Sequence, residues 1–460
     1  MSLKHALMPR LAALITSPGR QRWQRRTQEL RRRLARRPHR AVFYFRADDP
    51  YSVLLLQLLP AFSAHFGLQI QPRVMQYLDQ EMYPEPELLA ELGRRDAVAL
   101  ATFCHLEFPD TWEIPSHDRV QLATRILLRH EQDPAFMTLA ITVSRALWSG
   151  GGNATTDALT ALAADSSPMP EDQTRMAMEA RRDQFLREGH YLTGTLHYGG
   201  EWYWGIDRLD HLARRMDELD QHGHGTGPAH WPHPYGRAKN LQLPAANPHV
   251  AGKTLVLYFS FRSPYSWLVL PRAYRLADHY GLTLDVRPVL PMVMRGLSVP
   301  RAKRFYIVYD AAREARLHGV PFGKICDPVG TGVERCMALW PFAEKEGKLR
   351  DWLRAAARGI WSQGTNPASD AGLQTLCEQA GLDWNRARRW LDDKEWIARA
   401  TSNRDEMVAA GSWGVPTLVL DGTLYWGQDR LGLIEQQLLD FRPNTHQPNN
   451  NQPDNKEESP

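Results

Sequence analysis

TLVLYFSFRSPYSWLVLPRAYRLADHY, residues 254–280, joins a run rich in β-formers to a run with helical spacing. Thr254 to Phe261 alternates and reads as a strand. Tyr265 to Tyr280 places Trp267, Leu268, Leu270, Ala273, Tyr274 and Ala277 at helical intervals and reads as a helix. Between them Ser263 falls at the N-cap and Pro264 at the first helical position. A hydroxyl held there meets free N–H groups and the positive end of a helix dipole, a place that suits an anion such as a thiolate. Many Ser-Pro pairs open a helix with no further duty, so capping alone accounts for this one.

A second stretch turns the reading toward chemistry. In GVPTLVLDGTLYWGQDRL, residues 414–431, a Gly-Val-Pro-Thr turn enters a short strand, Asp421-Gly422 makes a hairpin turn, and a second strand follows. Pro416, at the head of a strand, is a candidate cis-proline, with the trans form the commoner state of any one proline. Such a turn is expected to leave the backbone of Val415 open at a sheet edge, able to pair with a short peptide.

In this order the motifs resemble the DsbA-like thioredoxin superfamily, and within it the 2-hydroxychromene-2-carboxylate isomerases and kappa-class glutathione transferases. The resemblance is carried by the strand before SPYSWL, Lys303 and Tyr306, Asn403 expected just ahead of a helix, GVPT at 414–417 and WGQDRL at 426–431. It covers roughly Lys253 to Phe441. It implies an α/β thioredoxin-like domain with a large helical insertion, and glutathione as cofactor. It further implies that Ser263 activates the thiol, that Val415 and Pro416 bind the tripeptide backbone, that Gln428 and Asp429 hold its γ-glutamyl end, and that Lys303 lies near its glycine carboxylate. One departure stands out: Leu290 to Lys303 is short and lacks the asparagine usual in that family.

The chain also repeats itself. A shift of 214 residues lays Tyr44-Phe45 on Tyr258-Phe259, Asp49-Pro50-Tyr51-Ser52 on Ser263-Pro264-Tyr265-Ser266, and Asp96 on Asp310. A shift of 222 lays Tyr203 to Leu209 on Tyr425 to Leu431, and Trp148-Ser149 matches Trp361-Ser362 at 213. The expectation is two tandem thioredoxin-like domains, 41–220 and 253–441, packed as an intramolecular pseudo-dimer. The copies differ where it matters. Asp49 replaces the serine and Gly194 the proline. A carboxylate still caps the helix, but it repels a thiolate, so the first copy reads as a structural partner. The rival reading gives Asp49 a role as acid or base.

Composition agrees with a soluble protein of two or more domains. The 460 residues hold ample material for large cores and contain no apolar run long enough to span a membrane. The four cysteines, Cys104, Cys326, Cys336 and Cys377, form no Cys-x-x-Cys pair, which argues against dithiol exchange. A Cys326–Cys336 bridge stays open, with free buried thiols in a reducing cytoplasm the expectation. Residues 1–40 carry a net charge of +11 in a chain of +4, so the remainder is acidic. This arm reads as a basic helix, either docked on that remainder or in peripheral contact with anionic lipid; nucleic acid is not an expected partner. Residues 221–252 are rich in Gly, Pro and His, and read as an extended connector rather than a metal site. Residues 442–460 read as a disordered tail. Between the sheet motifs of the second copy, helices are expected at 304–317, 334–346, 349–361, 371–380, 384–392 and 395–410, forming a lid.

The functional expectation is a cytoplasmic glutathione-dependent isomerase acting on a hydrophobic small-molecule electrophile, with Ser263 stabilising the thiolate. A kappa-like transferase shares the same start. A scaffold that kept the fold and lost the chemistry is the alternative from another class.

Overall fold

The computed structural model describes residues 3–76, 84–149, 153–220, 231 and 235–443. The histidines at 222, 224, 230 and 233 and the tail from 444 lie outside them.

The architecture is mixed α/β with two four-stranded sheets. In the first half β1 (Arg40–Phe45), β2 (Gln69–Val74), β3 (Thr195–Tyr198) and β4 (Glu201–Trp204) lie in the order β2-β1-β3-β4. In the second half β5 (Thr254–Phe259), β6 (Thr283–Pro288), β7 (Thr417–Leu420) and β8 (Thr423–Trp426) lie in the order β6-β5-β7-β8. Each sheet pairs its first two strands in parallel and its other neighbours antiparallel. Arg40 sits opposite Gln69 and Thr254 opposite Thr283; Val42 sits opposite His197 and Val256 opposite Val419. The strand expected to reach Phe261 stops at Phe259, because the Ser263 N–H turns back to the Ser260 carbonyl at 3.0 Å.

Each first strand feeds a helix of the same length, α3 (Pro50–Phe66) and the Pro264–Tyr280 helix, closed by Gly67 and Gly281 in the left-handed conformation. Between the second and third strands of each half comes the helical insertion. Its Trp148 Nε1 donates to the Ala47 carbonyl at 2.8 Å, and Trp361 Nε1 to the Phe261 carbonyl at 3.0 Å. Each tryptophan thus fastens the insertion to the strand–helix turn. Asn403, expected ahead of a helix, lies inside Glu395–Ala409, buried with its Nδ2 on the Pro288 carbonyl at 2.9 Å.

The halves meet through one apolar cluster that runs through both and through buried ion pairs that answer each other. Arg208 binds Asp310 at 2.8 Å and Asp429 at 3.0 Å; Arg430 binds Asp96 at 2.7 Å and Asp207 at 2.9 Å. Tyr51 donates to Asp96 and Tyr265 to Asp310, each at 2.8 Å. Trp204 and Trp426 face each other with ring centroids 6.5 Å apart.

The arm is two helices: α1 (Leu3–Ile15) and α2 (Pro18–Leu34), broken where Ser17 caps the second by accepting the Arg20 N–H at 3.2 Å. Arg25 of α2 pairs with Glu201 at 3.0 Å and Glu218 at 3.2 Å. The connector is not extended throughout. Tyr235–Lys239 is helical, and the buried Lys239 ammonium reaches Asp210 at 3.0 Å and Glu314 at 3.3 Å, so ion pairing pulls the segment into the contact between the halves. Among the described residues no helix is long and apolar enough to cross a membrane.

Candidate active site

Ser263 caps the Pro264–Tyr280 helix as its position in the chain requires. Its Oγ accepts the Ser266 N–H at 3.1 Å and donates to the Val415 carbonyl at 3.2 Å. The one hydroxyl therefore joins the helix start to the segment ahead of β7. The Val415–Pro416 bond is cis. β7 is an inner strand between β5 and β8, so Val415 does not lie on a sheet edge; its segment is open because it precedes the ladder.

Ser263, Val415 and Lys303 line one cavity of about 570 Å³ with a mainly apolar wall. The cavity lies between the Ser263 turn and the insertion, where Phe305, Val308 and Trp361 close it. Arg262 at its margin is paired with Asp327 at 2.7 Å. Lys303 sits in the first turn of the Arg301–His318 helix, with its ammonium 5.3 Å from the Tyr191 ring centre of the first half. Burial lowers its pKa to about 8, since a poorly hydrated ammonium is disfavoured. One turn on, Tyr306 packs against His190, also from the first half, at 4.4 Å.

Gln428 and Asp429 are not on this wall. Gln428 Oε1 accepts from Arg272 at 2.5 Å, its Nε2 donates to Glu314 at 2.9 Å and to Asp429, and Asp429 accepts from Arg208 at 3.0 Å. Both side chains are buried. Expected to grip a γ-glutamyl group, the two side chains do not line the cavity: Gln428 is held by Arg272 and Glu314 of its own half, and Asp429 by Arg208 of the first. Pro416 is buried behind Val415.

The four cysteines are free and buried. Burial pushes the Cys104 and Cys377 thiols up to about 12 and raises Cys326 and Cys336 as well, which makes them poor nucleophiles. Cys326 lines the cavity, yet none of the four stands at a helix start facing it. Among the described residues no group of three or more His, Cys, Asp or Glu is placed to hold a metal.

The equivalent place in the first half is closed on itself. Asp49 Oδ1 accepts the Tyr51 N–H at 3.2 Å, while Oδ2 accepts the hydroxyls of Ser52 at 2.7 Å and Thr193 at 2.9 Å. Burial raises its pKa. Gly194 has φ +66°, and a Cβ there would lie 2.8 Å from the Ser52 nitrogen and 3.0 Å from Asp49 Oδ2. The adjoining cavity is about 110 Å³.

The sequence reading missed one part of the site. Met8, Leu11, Ala12 and Ile15 of α1 lie on the wall of the second half's cavity. Their spacing was the available signal.

Residues 254–439 match the family of DSBA-like thioredoxin domains. The 2-hydroxychromene-2-carboxylate isomerase of Pseudomonas putida is 24% identical over 189 residues, which is 39% of this chain and 92% of that protein. The isomerase of the same name from Sphingobium xenophagum is 26% identical over 200 residues, 41% of this chain and 99% of its own. A solved 2-hydroxychromene-2-carboxylate isomerase structure aligns with 24% identity and a TM-score of 0.36, covering 40% of this chain and 94% of its own. Residues 254–439 thus form a DsbA-like thioredoxin domain, the one that carries Ser263.

Proposed function

We propose that the second half is a glutathione-dependent isomerase of the 2-hydroxychromene-2-carboxylate isomerase type, acting on an apolar electrophile. The observation that carries this reading is the Ser263 hydroxyl at a helix start, on the wall of an apolar cavity beside the Val415–Pro416 segment. The isomerase relatives match over nearly their whole length, which supports it.

The residues present fit the sulfur end and one carboxylate of glutathione. Bound there, the tripeptide would supply a sulfur nucleophile for reversible addition to a conjugated double bond, the chemistry by which such a bond is isomerised. Ser263 turns its proton from the Val415 carbonyl toward the sulfur, and the helix N–H groups favour the thiolate. The serine is a stabilising donor and not a covalent nucleophile. Lys303, charged below about pH 8, holds a carboxylate. The apolar wall keeps water from the reacting carbon. If the sulfur stays with the product, the same residues make a transferase.

We further infer that the halves are a tandem duplication forming an internal pseudo-dimer, with the first half retained for structure. The matched strand orders and the answering Arg208 and Arg430 pairs support this. The committed Gln428 and Asp429 favour a second reading, a binding scaffold without chemistry.

Calorimetry with glutathione, together with the ultraviolet absorbance of the bound thiolate, separates the two. The enzyme reading expects saturable binding and a thiolate signal at neutral pH that Ser263→Ala removes. No binding at millimolar glutathione overturns it.

A further inference from the structure

We propose that α1 is a ligand-contacting wall of the second half's cavity, and that Met8, Leu11, Ala12 and Ile15 help decide which apolar molecule is accepted. The proposal rests on the isomerase reading for the chemistry but not for the binding. Positions 8, 11, 12 and 15 follow the i, i+3, i+4, i+7 spacing of one helical face, and all four line the cavity that holds Ser263 and Lys303.

The helix is clamped by other residues. Pro9 is buried against Gly364, where a Cβ would come within 2.6 Å of the proline Cβ. At the far end Thr16 is buried, its Oγ1 would lie 3.2 Å from a Cβ on Gly323, and its carbonyl accepts from Arg316 at 3.1 Å. Arg316 also binds Gln21 at 2.6 Å, and α2 is tied to the first half through Glu201.

Seating therefore falls to Pro9 and Thr16, while Leu11 stays 49% exposed and Met8 58%. Apolar side chains left uncovered on a clamped helix, facing a cavity of about 570 Å³, offer contact area for an apolar ligand. α1 lies outside residues 254–439, so this wall is a property of this chain and not of the matched domain. The occupant is a compact molecule whose apolar body rests on α1 while its reactive carbon meets the Ser263 end.

The test uses the full chain and 1-anilinonaphthalene-8-sulfonate, an apolar ring-bearing anion, read by fluorescence titration. Saturable binding is expected. Leu11→Asp, which sets a charge on the apolar wall, weakens it about tenfold or more. Leu11→Met restores it to within about twofold, because the volume and character of the wall are kept. Leu7→Asp is the control: Leu7 is 54% exposed on the same helix and does not line the cavity, so affinity stays within about twofold of wild type.

Unchanged affinity in Leu11→Asp, an equal loss in Leu7→Asp, or no saturable binding to the wild-type chain each overturns the wall. Glutathione calorimetry on the same samples separates the two proposals. If glutathione fails to bind while the Leu11 and Leu7 variants still differ, the isomerase reading falls and the wall stands; if glutathione binds and they do not differ, the wall falls alone.

Discussion

The two strand–helix turns of this chain share a backbone path and diverge in the four residues before the proline, Arg46-Ala47-Asp48-Asp49 against Ser260-Phe261-Arg262-Ser263. Asp49 and Ser263 both cap a proline-started helix and both reach the segment ahead of the third strand of their sheet, but the carboxylate only accepts, from the Tyr51 N–H and the Ser52 and Thr193 hydroxyls, whereas the serine donates to the Val415 carbonyl. Ser52 and Ser266 each accept the N–H at the end of the strand, from Arg46 and Ser260. The scaffold bonds are thus kept in both halves. What differs is the chemistry of the cap: a buried carboxylate saturated by three donors in one half, a hydroxyl donor on a cavity wall in the other. Fold and site are separable at the level of single atoms.

The comparison is broken most severely at the contact between the halves. Arg430→Ala strips the partner from buried Asp96 and Asp207 and is expected to cost about 3–5 kcal/mol by urea denaturation. A loss below about 1 kcal/mol would mean that these pairs do not join the halves. Next comes Ser263→Asp, which makes the second turn like the first. It removes the sulfur's donor and adds a like charge, so turnover of an electrophile with glutathione should fall by about a hundredfold or more. Asp49→Ser, assayed alongside, should leave turnover unchanged.

Gly194→Ala probes the reverse conversion. With φ at +66° and the Ser52 nitrogen 2.8 Å from the new Cβ, it should destabilise the protein by about 1–3 kcal/mol in thermal melts. Proline there would also lose the N–H that meets the Tyr44 carbonyl at 2.9 Å. Building a Ser263-like turn in the first half therefore needs more than two exchanges.

The smallest effect concerns Lys303. Its pKa lies below the ordinary lysine value, so folding disfavours its charge. That cost is present below about pH 8 and relieved as pH rises toward the unfolded value of about 10.4. Ligand binding runs the opposite way. Affinity for S-methylglutathione, which has no titratable thiol, should fall a few-fold between pH 7 and 9 as the ammonium is lost. Lys303→Arg should flatten that part of the profile, and an unaltered profile would remove Lys303 from the carboxylate site.

Much of the second half was legible in its sequence. Helices expected at 304–317 and 349–361 are found at Arg301–His318 and Leu349–Ser362, because periodicity and Gly or Pro stops are local signals. The serine cap was legible for the same reason. The fates of Gln428 and Asp429 were not, since their partners Arg208, Arg272 and Glu314 lie more than a hundred residues away in the chain. A motif gives residue types and not which of two surfaces they face. The wall made by α1 escaped likewise: spacing says that one face is apolar and is silent about what lies opposite.

The answering arginines carry one further consequence. In an assembly of identical subunits a single codon specifies both members of such a pair, and every substitution appears in both sites at once. Here Arg208 and Arg430 are separately encoded, as are Asp49 and Ser263. One chain can therefore let one of its pockets drift while mutation of the other is still selected against, an asymmetry closed to any symmetric homodimer.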